Sequence, residues 1–188
     1  MPVYEFEFDL NFGMSHPGEM CDTAKGKVEL SDQEVDTLVK LIKEKGTADV
    51  EELELETLYP DIYENLSDAY YEAASNCAEM FWLWEGYYNG YFDYDTKEVM
   101  EYCKKELGFK YENEVPEDAD GEDDDYYDED AEYDAFHEWM SDYVHNVLKT
   151  DEEVQDFFYN VLHANLDLDC GYDYEIEIPE EIVRKAEG

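Results

Sequence analysis

The stretch VYEFEFDL, residues 3–10, sets the fold class. Tyr4, Phe6, Phe8 and Leu10 fall on one side of its alternation, and Glu5, Glu7 and Asp9 on the other. That period of two is the pattern of a strand with one face in a core and one in water. The opposite end of the chain repeats it: YDYEIEI, residues 172–178, alternates through Tyr172, Tyr174, Ile176 and Ile178. A loop containing Gly and Pro, 13–26, leads to KVEL at 27–30, read as a third short strand.

Between the strands the period changes to that of a helix. Ser31 with Glu34 three residues on is a capping-box signature. Behind it Val35, Leu38, Val39, Leu41 and Ile42 share one face up to Gly46. DVEELELETLYP, residues 49–60, predicts a short helix ended by Pro60. A long helix follows from Asp61, with Ile62, Leu66, Ala69, Tyr70, Ala73, Cys77, Met80, Phe81 and Trp84 at 3.6-residue spacing as far as the Gly86–Gly90 region. Asp95 and Glu98 open another helix that Gly108 closes. Two more are read at about 132–148 and 151–164, the second capped by Thr150 and Glu153, and a helical turn begins at Pro179. The expectation is an α+β fold: a small antiparallel sheet of about three short strands packed with about six helices. Length fits one compact domain over 1–188, with room for two subdomains, and an acidic loop at 115–132 is expected to be flexible.

Composition is the other decisive feature. The chain carries 54 acids against 12 bases, a formal charge of −42 over 188 residues. The run EDADGEDDDYYDEDAEYD, 117–134, holds twelve acids and no base. Removing it would still leave 42 acids and 12 bases, or −30, so the acidity is distributed. Between Tyr111 and Val183 there are 27 acids and one base, Lys149. Such charge ordinarily argues for disorder, but 44% of residues are hydrophobic and 16% aromatic, with 18 Tyr. A chain of this size buries roughly 70% of the surface its unfolded form exposes, which points to a core under an acidic skin.

Several chemistries lack their residues. The Gly121 run fails an EF-hand loop, because Pro116 and Tyr127 stand where the first and twelfth ligands belong. Residues 93–98 and 167–171 fail similarly, with Lys97 at a ligand position and Gly171 out of register. The four histidines and four cysteines show no metal-ligand spacing, and no GxSxG, P-loop or GxGxxG occurs. The expectation is therefore no enzyme, no cofactor and no metal site. Direct nucleic-acid binding is not expected either, since phosphate contacts need Lys and Arg, and Arg184 is the one Arg. MPVYEFEFDL alternates instead of running apolar, so neither a signal peptide nor a membrane span is expected there. Cys21, Cys77, Cys103 and Cys170 lie far apart without paired spacing and are read as reduced thiols of a cytoplasmic protein.

What remains is the acidity itself. Carboxylates at i and i+2 on a strand stand roughly 6.6–6.8 Å apart, and at i and i+4 on a helix roughly 6 Å. Both intervals approach that between neighbouring phosphates on one nucleic-acid strand. Glu5, Glu7 and Asp9, and again Asp173, Glu175 and Glu177, give the first; Asp134 with Glu138 and Glu152 with Asp156 give the second. Candidate partner-binding residues are Asp123, Asp124, Asp125, Asp128, Glu129, Asp130, Asp134, Glu138, Asp142, Glu152, Asp156, Asp173, Glu175 and Glu177.

In composition and size the chain resembles the acidic nucleic-acid-mimic inhibitors of phages and mobile elements: anti-restriction proteins, glycosylase inhibitors and acidic anti-CRISPR proteins. The likeness covers the whole chain but is compositional, so no site residue is carried over. It implies a basic, nucleic-acid-handling partner, a defence nuclease above all, whose cationic groove the acids occupy. An immunity protein or antitoxin against a basic nuclease toxin, and a chaperone of basic proteins, are the alternatives. Adaptation to high salt is a further reading of the acidic skin.

Overall fold

The computed structural model describes residues 1–12, 20–112, 129–165 and 172–188, without the side chains of Met20, Cys21 and Glu129. Their contacts divide into two compact units: residues 1–82 with 167–188, and residues 83–166.

The first unit is built on the alternating N-terminal stretch. Strand β1, Val3–Phe12, has its even-numbered side chains buried and its odd-numbered ones exposed. It pairs antiparallel along its whole length with β2, Met20–Glu29, and at two positions with β3, Tyr172–Asp173. The sheet order is β2-β1-β3, and the three-stranded antiparallel sheet packed with helices is the α+β fold expected. Its inner face meets α1, Asp32–Lys45, the first part of α3, Pro60–Tyr88, and α7, Glu180–Glu187, in one hydrophobic core. Tyr70 of α3 lies at its centre, stacked on Phe6 and Phe8 with ring centroids 4.2 and 4.7 Å apart. Burial pushes its phenol up to about 12, with a smaller opposing effect from a hydrogen bond to the Glu177 backbone. Tyr70 therefore stays neutral across the physiological range.

α1 starts as its sequence directs. The Ser31 hydroxyl accepts from the Glu34 N–H, and the Glu34 carboxylate accepts from the Ser31 backbone. A hydrogen bond from the Ser31 hydroxyl, helped by the Ser31 N–H and the Asn65 amide and opposed by burial, holds the Glu34 carboxyl below its ordinary range. Gly46 ends the helix at φ 73°, a left-handed conformation open to glycine. α2 is a single turn, Leu55–Leu58, and Pro60 opens α3 instead of only closing α2. Pro suits a first helical position because its missing N–H has no partner to lose there.

Two strand expectations need correction. β2 starts at Met20, so residues 20–26, read as loop, are strand. Gly26 is the reason the pattern was hidden: it faces Phe6, and a Cβ there would lie 2.4 Å from the Phe6 ring. Its place in the alternation is filled by its neighbour's aromatic ring. β3, expected over 172–178, stops at Asp173.

The second unit is helical: the end of α3; α4, Thr96–Tyr102; α5, Glu129–Asp142; and α6, Asp151–Asn160. α4 and α5 each run into a five-residue π-helical turn, Cys103–Leu107 and Tyr143–Val147. The first ends at Gly108, φ 84°. Thr150 and Glu153 form a complete capping box at α6. At α4 Asp95 caps the Glu98 N–H without the reciprocal bond. Leu83, Met100, Phe136, Met140, Val144 and Phe158 are among the buried residues. Cys103 is buried with them, which pushes its thiol up to about 11. Seven α-helices and three strands are present among the described residues. The acidic loop expected at 115–132 falls mostly outside the described residues, and its last four positions, 129–132, belong to α5.

Candidate acidic interface

α5 orders a row of carboxylates by simple arithmetic. Asp130, Asp134, Glu138 and Asp142 recur every fourth residue, so at 100° per residue they cover about 120° of one helix side. Two residues along, Glu132, Phe136, Met140 and Val144 recur at the same interval and are buried. The buried row fixes the helix, and the acidic row is thereby fixed facing away from the core. In α6, Glu152 and Asp156 are exposed while Val154, Phe157 and Phe158 are buried.

The acids of this unit are short of counter-charge. Asp130, Asp134, Glu138, Asp142, Glu152 and Asp156 are all exposed, and none forms an ion pair among the described residues. Asp142 accepts instead from the Asn146 amide at 2.7 Å. Glu132 is the exception to the exposed pattern. It is 5% exposed and meets Lys104 at 2.8 Å, and Lys104 also reaches Glu101 at 2.9 Å. Those two carboxylates raise the Lys104 ammonium above its ordinary range.

The sheet of the first unit treats its acids differently. On its outer face Lys27 pairs with Glu5 at 3.0 Å and Lys25 with Glu7 at 3.6 Å, each from the directly opposing position in β2. Asp9 faces Thr23. The N-terminal carboxylate row is thus partly neutralised, which the alternation of β1 alone did not disclose. Asp173, Glu175 and Glu177 are exposed and form no ion pair among the described residues.

The candidate residues therefore fall in two groups, one in each unit. Asp123, Asp124, Asp125 and Asp128 lie outside the described residues, and Glu129 opens α5. No protein-family model, no curated protein and no solved structure matches the chain. Among the described residues no group of three or more His, Cys, Asp or Glu side chains is placed to hold a metal ion, and no helix is long and apolar enough to cross a membrane. His145 packs its ring 5.2 Å from Trp84, with Nε2 2.8 Å from the Tyr88 hydroxyl and Nδ1 2.7 Å from the Ser141 carbonyl oxygen. Both ring nitrogens are thus engaged within the unit.

Proposed function

We propose that the protein is an acidic nucleic-acid mimic that binds and inhibits a DNA- or RNA-handling protein, a defence nuclease foremost, by occupying its cationic groove. The single observation that supports this most is the α5 row: Asp130, Asp134, Glu138 and Asp142, exposed, without ion pairs among the described residues, and set on a helix whose other side is packed. Carboxylates on a fixed helix meet a cationic groove without first losing the conformational entropy a flexible acidic tail would lose. They also speed encounter, because complementary fields raise association rates and make them salt-dependent. On this reading the protein is not an enzyme, needs no cofactor, works in the cytoplasm and does not itself bind nucleic acid.

The test is competition. A protein captured by this chain should be released by duplex DNA or RNA, and its complex should weaken steeply with salt. Reversing Glu138, Asp142, Asp156 and Glu175 to Lys should lower affinity by more than about tenfold, mainly through the association rate. Four reversals on α1, Asp36→Lys, Lys40→Glu, Lys43→Glu and Glu44→Lys, should change it little. A nucleic-acid-loaded target bound as tightly as an empty one would refute mimicry.

A further inference from the structure

The ladder between β1 and β3 ends after two residue pairs, Asn11 with Asp173 and Phe12 with Tyr172. The chain beyond keeps its alternation: Tyr174 and Ile176 are half-buried, Ile178 is buried, and Glu175 and Glu177 are exposed. Yet among the described residues no backbone hydrogen bond joins 174–178 to β1. Continuing the register explains why. Asp9 would face Glu175 and Glu7 would face Glu177 on the same side of the sheet, and like charges directly opposite disfavour pairing. The next position would set Glu5 against Pro179, which has no N–H to give.

The consequence is an open strand edge in the middle of a folded unit. The bond from Leu30 N–H to the Pro2 carbonyl fixes the parity of the β1–β2 ladder. Even-numbered residues of β1 turn their backbone groups to β2, and Glu5, Glu7 and Asp9 turn theirs to the other side. There a cleft of about 970 Å³ is lined by Glu5, Glu7, Ile176 and Glu177, with Tyr70 also in its wall and Lys25 and Lys27, the ion-pair partners of Glu7 and Glu5, beside them. A second, of about 720 Å³, continues along Asp9, Asn11 and Glu175.

We propose that this edge receives an extended segment of a partner protein that carries Lys or Arg at every second position, added to β1 as an antiparallel strand. Its backbone would take the free N–H and C=O groups of Glu5, Glu7 and Asp9. Its cations would stand between the two rows of carboxylates on the outer face, and its intervening apolar side chains would face the Tyr70 and Ile176 side. A second copy of this chain is the wrong occupant, because its own β1 edge would bring Glu5, Glu7 and Asp9 against the same acids. The proposal goes beyond nucleic-acid mimicry, since it requires a basic extended segment and not a nucleic-acid-binding partner.

The probe is a synthetic hexapeptide of alternating Lys and Val, titrated calorimetrically into the full chain at about 0.15 M salt, where exposed charges farther apart than about 8 Å are largely screened. In an antiparallel strand the residues bonded to Glu5, Glu7 and Asp9 are the lysines, whose side chains share their face. N-methylation of the lysine backbone amides should therefore weaken binding at least tenfold at unchanged charge, and N-methylation of the valine backbone amides should weaken it less. Equal affinity of all three peptides, or no binding of the parent, would overturn the proposal. Independently, Glu7→Gln with Glu177→Gln should let the ladder extend, seen as slowed amide exchange at Glu7 and Asp9, and should reduce peptide affinity at least tenfold. Unchanged peptide affinity with a lengthened ladder would equally overturn it. Glu138→Lys with Asp142→Lys, which probe the α5 row, should leave peptide affinity within about twofold at that salt concentration.

Discussion

Lys104 has the most to lose by substitution among the cations. Its partner Glu132 is buried, and removing the ammonium leaves that carboxylate there without a counter-charge. Lys104→Met should therefore cost about 3–5 kcal/mol. Replacing both partners, Lys104→Met with Glu132→Leu, should recover most of that loss, because an apolar pair in the same volume leaves nothing unpaired. Urea unfolding of the two single variants and the double variant measures the coupling. A Lys104→Met effect under about 1 kcal/mol, the ordinary range of a surface pair, would show that water reaches Glu132. The sequence could not single out this residue inside a run of twelve acids. Only when α5 is in place does Glu132 share the interval of Phe136, Met140 and Val144, whereas Asp134, two residues on, shares that of Glu138.

At the scale of elements, the signals that survived were local ones. Ser31–Glu34 and Thr150–Glu153 start helices where their spacing says they should, because a cap is made within four residues and depends little on the rest of the fold. β1 was equally legible, since its alternation is unbroken. The extents of β2 and β3 are not legible in the sequence because they are decided across the sheet. β3 ends where continuing its register would set Glu175 and Glu177 against Asp9 and Glu7, and β2 hides behind a glycine whose missing side chain makes room for Phe6. A glycine inside a strand commonly marks such a close approach. Gly26→Ala is thus expected to destabilise by about 1–3 kcal/mol, the range for overpacking a core. The new Cβ would meet Phe6 at 2.4 Å and the Ala73 methyl of α3 at 2.9 Å. Pairing it with Phe6→Leu should return part of the loss, whereas Gly46→Ala, with nothing within 4 Å, tests only the left-handed backbone. Equal costs at both glycines, with no recovery by Phe6→Leu, would mean that backbone freedom and not space is what Gly26 supplies.

For the molecule as a whole, counter-charge within the chain is too scarce to matter. All twelve bases lie among the described residues, and eight of them form ion pairs there; yet pairing every one would leave the net charge at −42. The fold therefore rests on its two aromatic-rich cores against a repulsion that the solvent must screen. The range of that repulsion shrinks from about 30 Å at 0.01 M salt to about 8 Å at 0.15 M. The unfolded chain can spread its charges and the folded one cannot, so added salt should stabilise the native state. For a chain of this length each 1 kcal/mol moves the melting temperature by about 2–4 °C. We expect a rise of roughly 5 °C or more between 0.01 and 0.5 M NaCl, flattening above that as the screening length falls below the spacing of neighbouring acids. Choline chloride at equal ionic strength should give the same curve, because screening depends on ionic strength and not on the cation. A melting temperature that does not move would place the acids too far apart to repel. A chain that folds only in molar salt would instead assign its acidic skin to life in brine, and with that the case for a cationic partner would lose its main physical motive.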